Sequence, residues 1–227
     1  MESTKTSYVI SPKFLLPASI CLILCLSAQF LFAQVRTSVQ TGSWNNPATW
    51  NCLCIPALAE DAVIAAGHTV TLAVATTINN LTVNTSATLV DGGNNMTITG
   101  NIVINGNYDA NRPILLTGSG TTIDGFGTVT NMGGVTISNG NKTVQPSTNL
   151  TISNGNFRIN VGLTVSNYGT ITLTRDLVGL NAASTWINEN NSTFNAGGAL
   201  LITGVLIASA SGNKVNYNRA GAQDVKV

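Results

Sequence analysis

From His68 onward the apolar and polar positions alternate with a period of two. Thr69-Val70-Thr71-Leu72-Ala73-Val74 does so, as do Met96-Thr97-Ile98-Thr99, Val135-Thr136-Ile137-Ser138 and Thr170-Ile171-Thr172-Leu173-Thr174. Successive side chains of a strand point to opposite faces, so the pattern predicts strands with one face buried. No stretch keeps the i, i+3, i+4, i+7 spacing of a helix of useful length. Glu, a good helix former, occurs only at Glu60 and Glu189 after residue 33, and Gly and Asn interrupt every segment. The chain reads as all-β.

The strands are related to one another. Leu81-Thr82-Val83, Met96-Thr97-Ile98, Val135-Thr136-Ile137, Leu150-Thr151-Ile152 and Leu163-Thr164-Val165 share the form apolar-Thr-apolar. Residues 135–141 and 150–156 are near copies, and Ile102-Val-Ile-Asn-Gly-Asn is a third variant. Short, imperfect repeats of this kind mark a solenoid. A hairpin sandwich would use each Asn-Gly as a tight reversal. A parallel stack uses it as a corner, where Asn tolerates left-handed dihedrals. The repeats favour the stack, because equivalent apolar side chains then form ladders inside. The predicted fold is a right-handed, single-stranded parallel β-helix over residues 65–210, with ~15–20 residues per coil and about 7–10 coils. Exposed edges of such a rod pair with other molecules unless capped, so end-to-end association is expected at any uncapped edge.

Composition supports this architecture. Charged residues are 8% of the 227-residue chain and apolar residues 44%. After residue 33 there are eight acids and eight bases, a formal charge of zero. Like charges repeated in register would repel, so a stacked chain has reason to avoid them. With no Lys/Arg cluster there is no electrostatic footprint for nucleic acid.

Residues 1–13 are polar and carry Lys5 and Lys13, and Phe14–Ala33 is nearly all apolar. This is the layout of a signal peptide over 1–33, cleaved after Ala33 or, as second choice, after Ala28. Pro17 and Gln29 interrupt the run, which argues against an uncleaved anchor. No later segment is apolar and long enough to span a membrane, so the mature chain is expected to be secreted or at the cell surface.

Residues 34–64 differ from the repeats and are expected to form an N-terminal cap. Trp44 and Trp50 flank Pro47 and suit a lid over the first coil; Cys52-Leu-Cys54 and Pro56 follow, then Asp61-Ala-Val63-Ile and Gly67-His68-Thr-Val-Thr. This stretch resembles the N-terminal opening of exported bacterial β-helix surface proteins, and distantly the G8 domain. Trp44, Pro47, Trp50, Pro56, Asp61, Val63, Gly67 and His68 carry the resemblance over ~30 residues. Residues 211–227 look like the start of a further β module of the same proteins, with Arg219 where Gly is expected. The pattern breaks off at Val227, which predicts a fragment of a longer chain. The resemblance implies an adhesin-like structural protein, secreted or displayed on a bacterial outer membrane.

Few side chains offer chemistry. Cys52 and Cys54 can form a disulfide in an oxidising compartment or pack unpaired. A zinc site would need both thiols, His68 and Asp61 to converge. His68 is the only histidine and has no nucleophile motif around it; it is expected to start a strand. Asp91, Asp109 and Asp124 with Arg112 form the one candidate acidic site. On successive coils they could bind Ca²⁺ and cleave acidic polysaccharide, whereas Asp also simply favours corners. Thr-x-Thr strands could present hydroxyls to ice, but Thr is also the common exposed strand residue. Sequons at Asn80, Asn149 and Asn191 matter only on a glycosylating route. The expected function is a non-catalytic scaffold that binds glycans or partner surfaces through an Asn/Thr/Ser ladder, with no cofactor. The alternatives are a β-helix polysaccharide lyase or hydrolase, which alone would need Ca²⁺, and an ice-binding solenoid.

Overall fold

A computed structural model describes residues 34–226, so the expected signal peptide lies outside the described residues. The described chain is a parallel β-solenoid built from short strands, with one 3-10 turn at Pro47–Thr49 and no α-helix. Three parallel sheets run along it, of nine, nine and six strands. Each coil passes through the first, second and third sheet in turn. Six coils carry all three strands, from Asp61–Ile64 to Leu177–Gly179. A seventh has a single bridge, Leu177 to Leu200, where its third strand would lie.

The coil is longer than the triplet spacings predict. In-register partners are 18 to 23 residues apart through the body of the stack, as Met96 with Ile114 and Thr128 with Thr151, and 26 to 28 apart at the first rungs. The physical reason is that apolar-Thr-apolar marks one face of a coil, not a whole turn. The near copies at 135–141 and 150–156 open strands of the third and second sheets, so they do not lie over one another.

Inside, apolar side chains stack rung over rung. In the second sheet Val70, Leu89, Tyr108, Val129 and Ile152 meet in register, all at most 2% exposed. In the third, Met96, Ile114, Val135, Phe157 and Leu177 do the same. Each such side chain contributes roughly 1.5–3 kcal/mol on leaving water. Two aromatic clusters fill the ends. Trp44 meets Trp50 edge to face at 4.8 Å. Trp186 contacts Phe157 and Phe194 with ring centroids 5.4 and 4.9 Å away.

Asn has two structural duties. At the corner before the first sheet, Asn80 Oδ1 accepts from Asn101 N, Asn101 Oδ1 from Thr122 N, and Asn141 Oδ1 from Thr164 N. Each side-chain carbonyl thus stands in for one more ladder acceptor and satisfies a backbone donor. At the corner after that sheet, Asn167 and Asn188 are fully buried and bonded to each other. Lys142 occupies an inward position and is 2% exposed. Its ammonium donates to the carbonyls of Gly118, Asn139 and Gly140. Burial pushes its pKa down to about 8.

The expected domain edges fall inside the stack. Val35–Thr37 and Gly42–Ser43, assigned to the cap, are the first rungs of the first and second sheets. Asp61–Ile64 is the next rung of the first. Lys214–Tyr217, assigned to a further module, ends the second sheet beside Thr193–Ala196. The following residues turn back, and Gln223 Nε2 donates to the carbonyls of Ala196 and Gly198. Apolar alternation alone does not reveal these joins, because the first and last rungs are short and carry polar neighbours.

Candidate functional site

The cap residues are brought together as a plug. Asn46 caps the 3-10 turn that Pro47 opens, accepting from Ala48 N at 3.1 Å. This turn carries Trp50 back onto Trp44, whose carbonyl accepts the Trp50 indole N–H at 2.8 Å. Trp44, Trp50 and Pro56 are all buried. Cys52 and Cys54 are joined as a disulfide with Cα atoms 5.1 Å apart. Both sulfurs are therefore lost as zinc ligands. His68 and Asp61 are occupied as well: His68 Nδ1 bonds Ser38 Oγ at 2.9 Å, and Asp61 Oδ1 accepts from Asn79, Asn80 N and Asn80 Nδ2. The four do not converge, and no group of three metal-binding side chains exists among the described residues. His68 stands just before the strand Thr69–Thr71. Nearby, Arg36 pairs with Glu60, and this bond holds the Glu60 carboxyl below its ordinary range.

The acidic candidates are divided between two corners. Asp91 is fully buried after the second sheet, where Gly93 N and Arg112 N donate to its two oxygens at 2.8 and 2.6 Å. Asp109 ends a second-sheet strand and accepts from Asn131. Asp124 ends a first-sheet strand, and its Oδ1 accepts from Gly125 N, Ser147 and Thr148. Arg112 meets Asp91 through its backbone N–H, while its Nε donates to Gly93 O. A spacing of 15 residues is shorter than a coil, so Asp109 and Asp124 fall on different faces. Each carboxylate ties a corner. Tyr108 is buried in the core; that burial, with the charges of Asp91 and Asp109 adding, raises its phenol above the ordinary range.

A continuous polar feature lies on the outside of the second sheet. Thr69, Thr88, Asn107, Thr128, Thr151, Thr172, Asn195 and Asn216 form one outward column in register over eight strands of that sheet. Neighbouring rungs are about 4.8 Å apart. The column is linked at its end, where Asn216 Nδ2 donates to Asn195 Oδ1 and Asn195 Nδ2 to Thr172 Oγ1. Hydroxyls and amides in this array can both donate and accept. The columns beside it are less regular: one runs Thr71, Val90, Asp109, Thr130, the other Asn149, Thr170, Thr193, Lys214. The Thr-rich triplets announced exposed hydroxyls; which of them share a column depends on corner lengths that the triplets do not encode.

Among the described residues, no helix is long and apolar enough to cross a membrane. Compared with models of protein families, with curated proteins and with solved structures, the chain matches none.

Proposed function

We propose that this chain is an exported, non-catalytic adhesion scaffold that holds neutral hydrogen-bonding surfaces through the outer face of its second sheet. The observation that carries this reading is the eight-rung column from Thr69 to Asn216. Single hydroxyl contacts made in water are weak, about 0.5–1.5 kcal/mol net. A rigid row of them engages a repeating partner many times at once, and avidity follows. The apolar run at Phe14–Ala33 and the Trp44-to-His68 opening motif support export and surface use.

The test is retention of the purified protein on immobilised neutral polysaccharides, beside the variant T128V/T151V/T172V. Val keeps the β-branched shape and removes only hydroxyls. The expected result is binding that falls at least tenfold in the variant. Unchanged retention contradicts the proposal. So does release of unsaturated or reducing ends from acidic glycan with Ca²⁺, if that activity is lost in D109A.

A further inference from the structure

Three arginines lie on the third sheet or in the corner before it. Arg158 points outward from Phe157–Ile159, in register between Thr136 and Val178. Arg112 and Arg175 each lie two residues before a strand of the same sheet, Ile114–Leu116 and Leu177–Gly179. Both are exposed, and Arg158 is half-buried. None has a carboxylate partner among the described residues, where Arg36–Glu60 is the only ion pair. The acids near this corner are engaged otherwise. Asp91 is buried against backbone N–H groups, Asp109 accepts from Asn131, and Asp176 Oδ1 accepts from Ala199 N at 2.7 Å. The guanidiniums therefore make no ion pair among the described residues and are the more exposed charges here, while the carboxylates, still charged, lie buried at Asp91 and half-buried at Asp109 and Asp176.

Beside them is a hollow of about 190 Å³ formed by Met132, Asn154, Asn156 and Arg175. Met132 is 77% exposed. The thioether offers an apolar contact, and the amides and guanidinium around it offer hydrogen bonds to hydroxyls and carboxylates. Arg112 and Arg175 are three coils apart, so the charges spread over about 14 Å. A spread of that length, with Arg158 set to one side on the sheet face, suits an extended polyanion rather than a single small anion. The outward column here, Thr77, Thr97, Leu115, Thr136, Arg158 and Val178, has no aromatic ring on which a base could stack.

We infer that this corner binds an acidic polysaccharide, with Arg112, Arg158 and Arg175 pairing successive carboxylates or sulfates and the Met132 hollow seating one ring. This deepens the adhesive reading, on a face separate from the neutral column. The test measures binding of polygalacturonate, heparin, neutral dextran and duplex DNA at 50 and 200 mM salt (roughly the range over which phosphate-type contacts weaken strongly). The expected result is that at least one polyacid binds and weakens with salt. R112Q/R158Q/R175Q should lose at least tenfold with its circular dichroism unchanged, and K214Q/R219Q should lose nothing. Polygalacturonate against heparin separates carboxylate from sulfate recognition. R175Q alone, an exposed change, should lose about threefold and serves if the triple variant does not fold. Polyacid binding that survives the Arg variants, no polyacid binding, or tighter binding of DNA than of either polyacid overturns the inference. Dextran binding lost only in T128V/T151V/T172V speaks for the second sheet, so the two proposals fail separately.

Discussion

Asn167 Nδ2 donates to Asn188 Oδ1 at 2.8 Å, with both side chains sealed from solvent. Asn167 Oδ1 also accepts from Gly169 N, and Asn188 Nδ2 reaches the carbonyl of Lys214 at 2.9 Å. The pair therefore ties the corner of one coil to the next two. Truncating one partner leaves a buried amide short of a bond, which costs about 1–3 kcal/mol. Asn188→Ala should lower the urea midpoint accordingly. A double-mutant cycle with Asn167→Ala should show a coupling of at least about 0.5 kcal/mol; additive losses would show that the contact is energetically idle.

The Trp44–Trp50 plug is expected to matter as much as any core pair. Trp50 is fully buried, and its indole bond to Trp44 O disappears in Trp50→Ala. A loss of about 3–5 kcal/mol follows from the cavity alone. Equilibrium unfolding followed by far-ultraviolet circular dichroism measures it. A change below about 1 kcal/mol would mean the first coil does not depend on its lid.

Lys142 gives a pH signature. Burial lowers its folded pKa from 10.5 to about 8, so between these values the unfolded chain binds more protons. Stability then rises with pH across that window, because the cost of burying the ammonium, present in full below pH 8, is relieved. The rise is bounded at about 3 kcal/mol. Urea midpoints at pH 7.5 and 10 in the native protein, less those in Lys142→Met, isolate it. A native curve no steeper than the variant's would show that the three carbonyls hold the charge at no net cost.

Gly134 tests the close approach of coils. Its φ is +68°, and an added Cβ would come within 2.1 Å of the Asn156 carbonyl oxygen. Both objections apply at once, left-handed strain and contact with backbone that cannot swing away. Gly134→Ala should destabilise by more than about 2 kcal/mol. Asn154→Gly, at a corner already left-handed with φ +66°, should be close to neutral. Equal effects would contradict the packing of this corner.

Much of the fold was legible because strand alternation is written into adjacent residues. Thr69-Val70-Thr71 and Val135-Thr136-Ile137 announce their buried and exposed faces directly. The coil period was not legible, since triplets on three sheets look alike and corners vary in length. That one uncertainty misplaced Asp124 relative to Asp109, hid the column from Thr69 to Asn216, and kept Arg158 and Arg175 from joining Arg112. That corner Asn can bond the coils above and below was legible, but not that Asn80, Asn101 and Asn141 are the ones that do so beside the first sheet, since many other Asn residues look alike. Trp186 and Phe194 were overlooked because a lone aromatic in a strand does not say that it fills the end of a core.

Spacing along the second sheet tests the stacked parallel rungs most directly. Spin labels on Cys introduced at Thr88 and Thr172 sit four rungs apart, and at Thr69 and Asn195 six rungs apart. At about 4.8 Å per rung the backbone separations are about 19 and 29 Å. Pulsed electron resonance should return two narrow distributions, displaced only by the label arms and differing by about 10 Å. Broad distributions, or a longer distance for the four-rung pair than for the six-rung pair, would contradict the solenoid and the binding faces built on it.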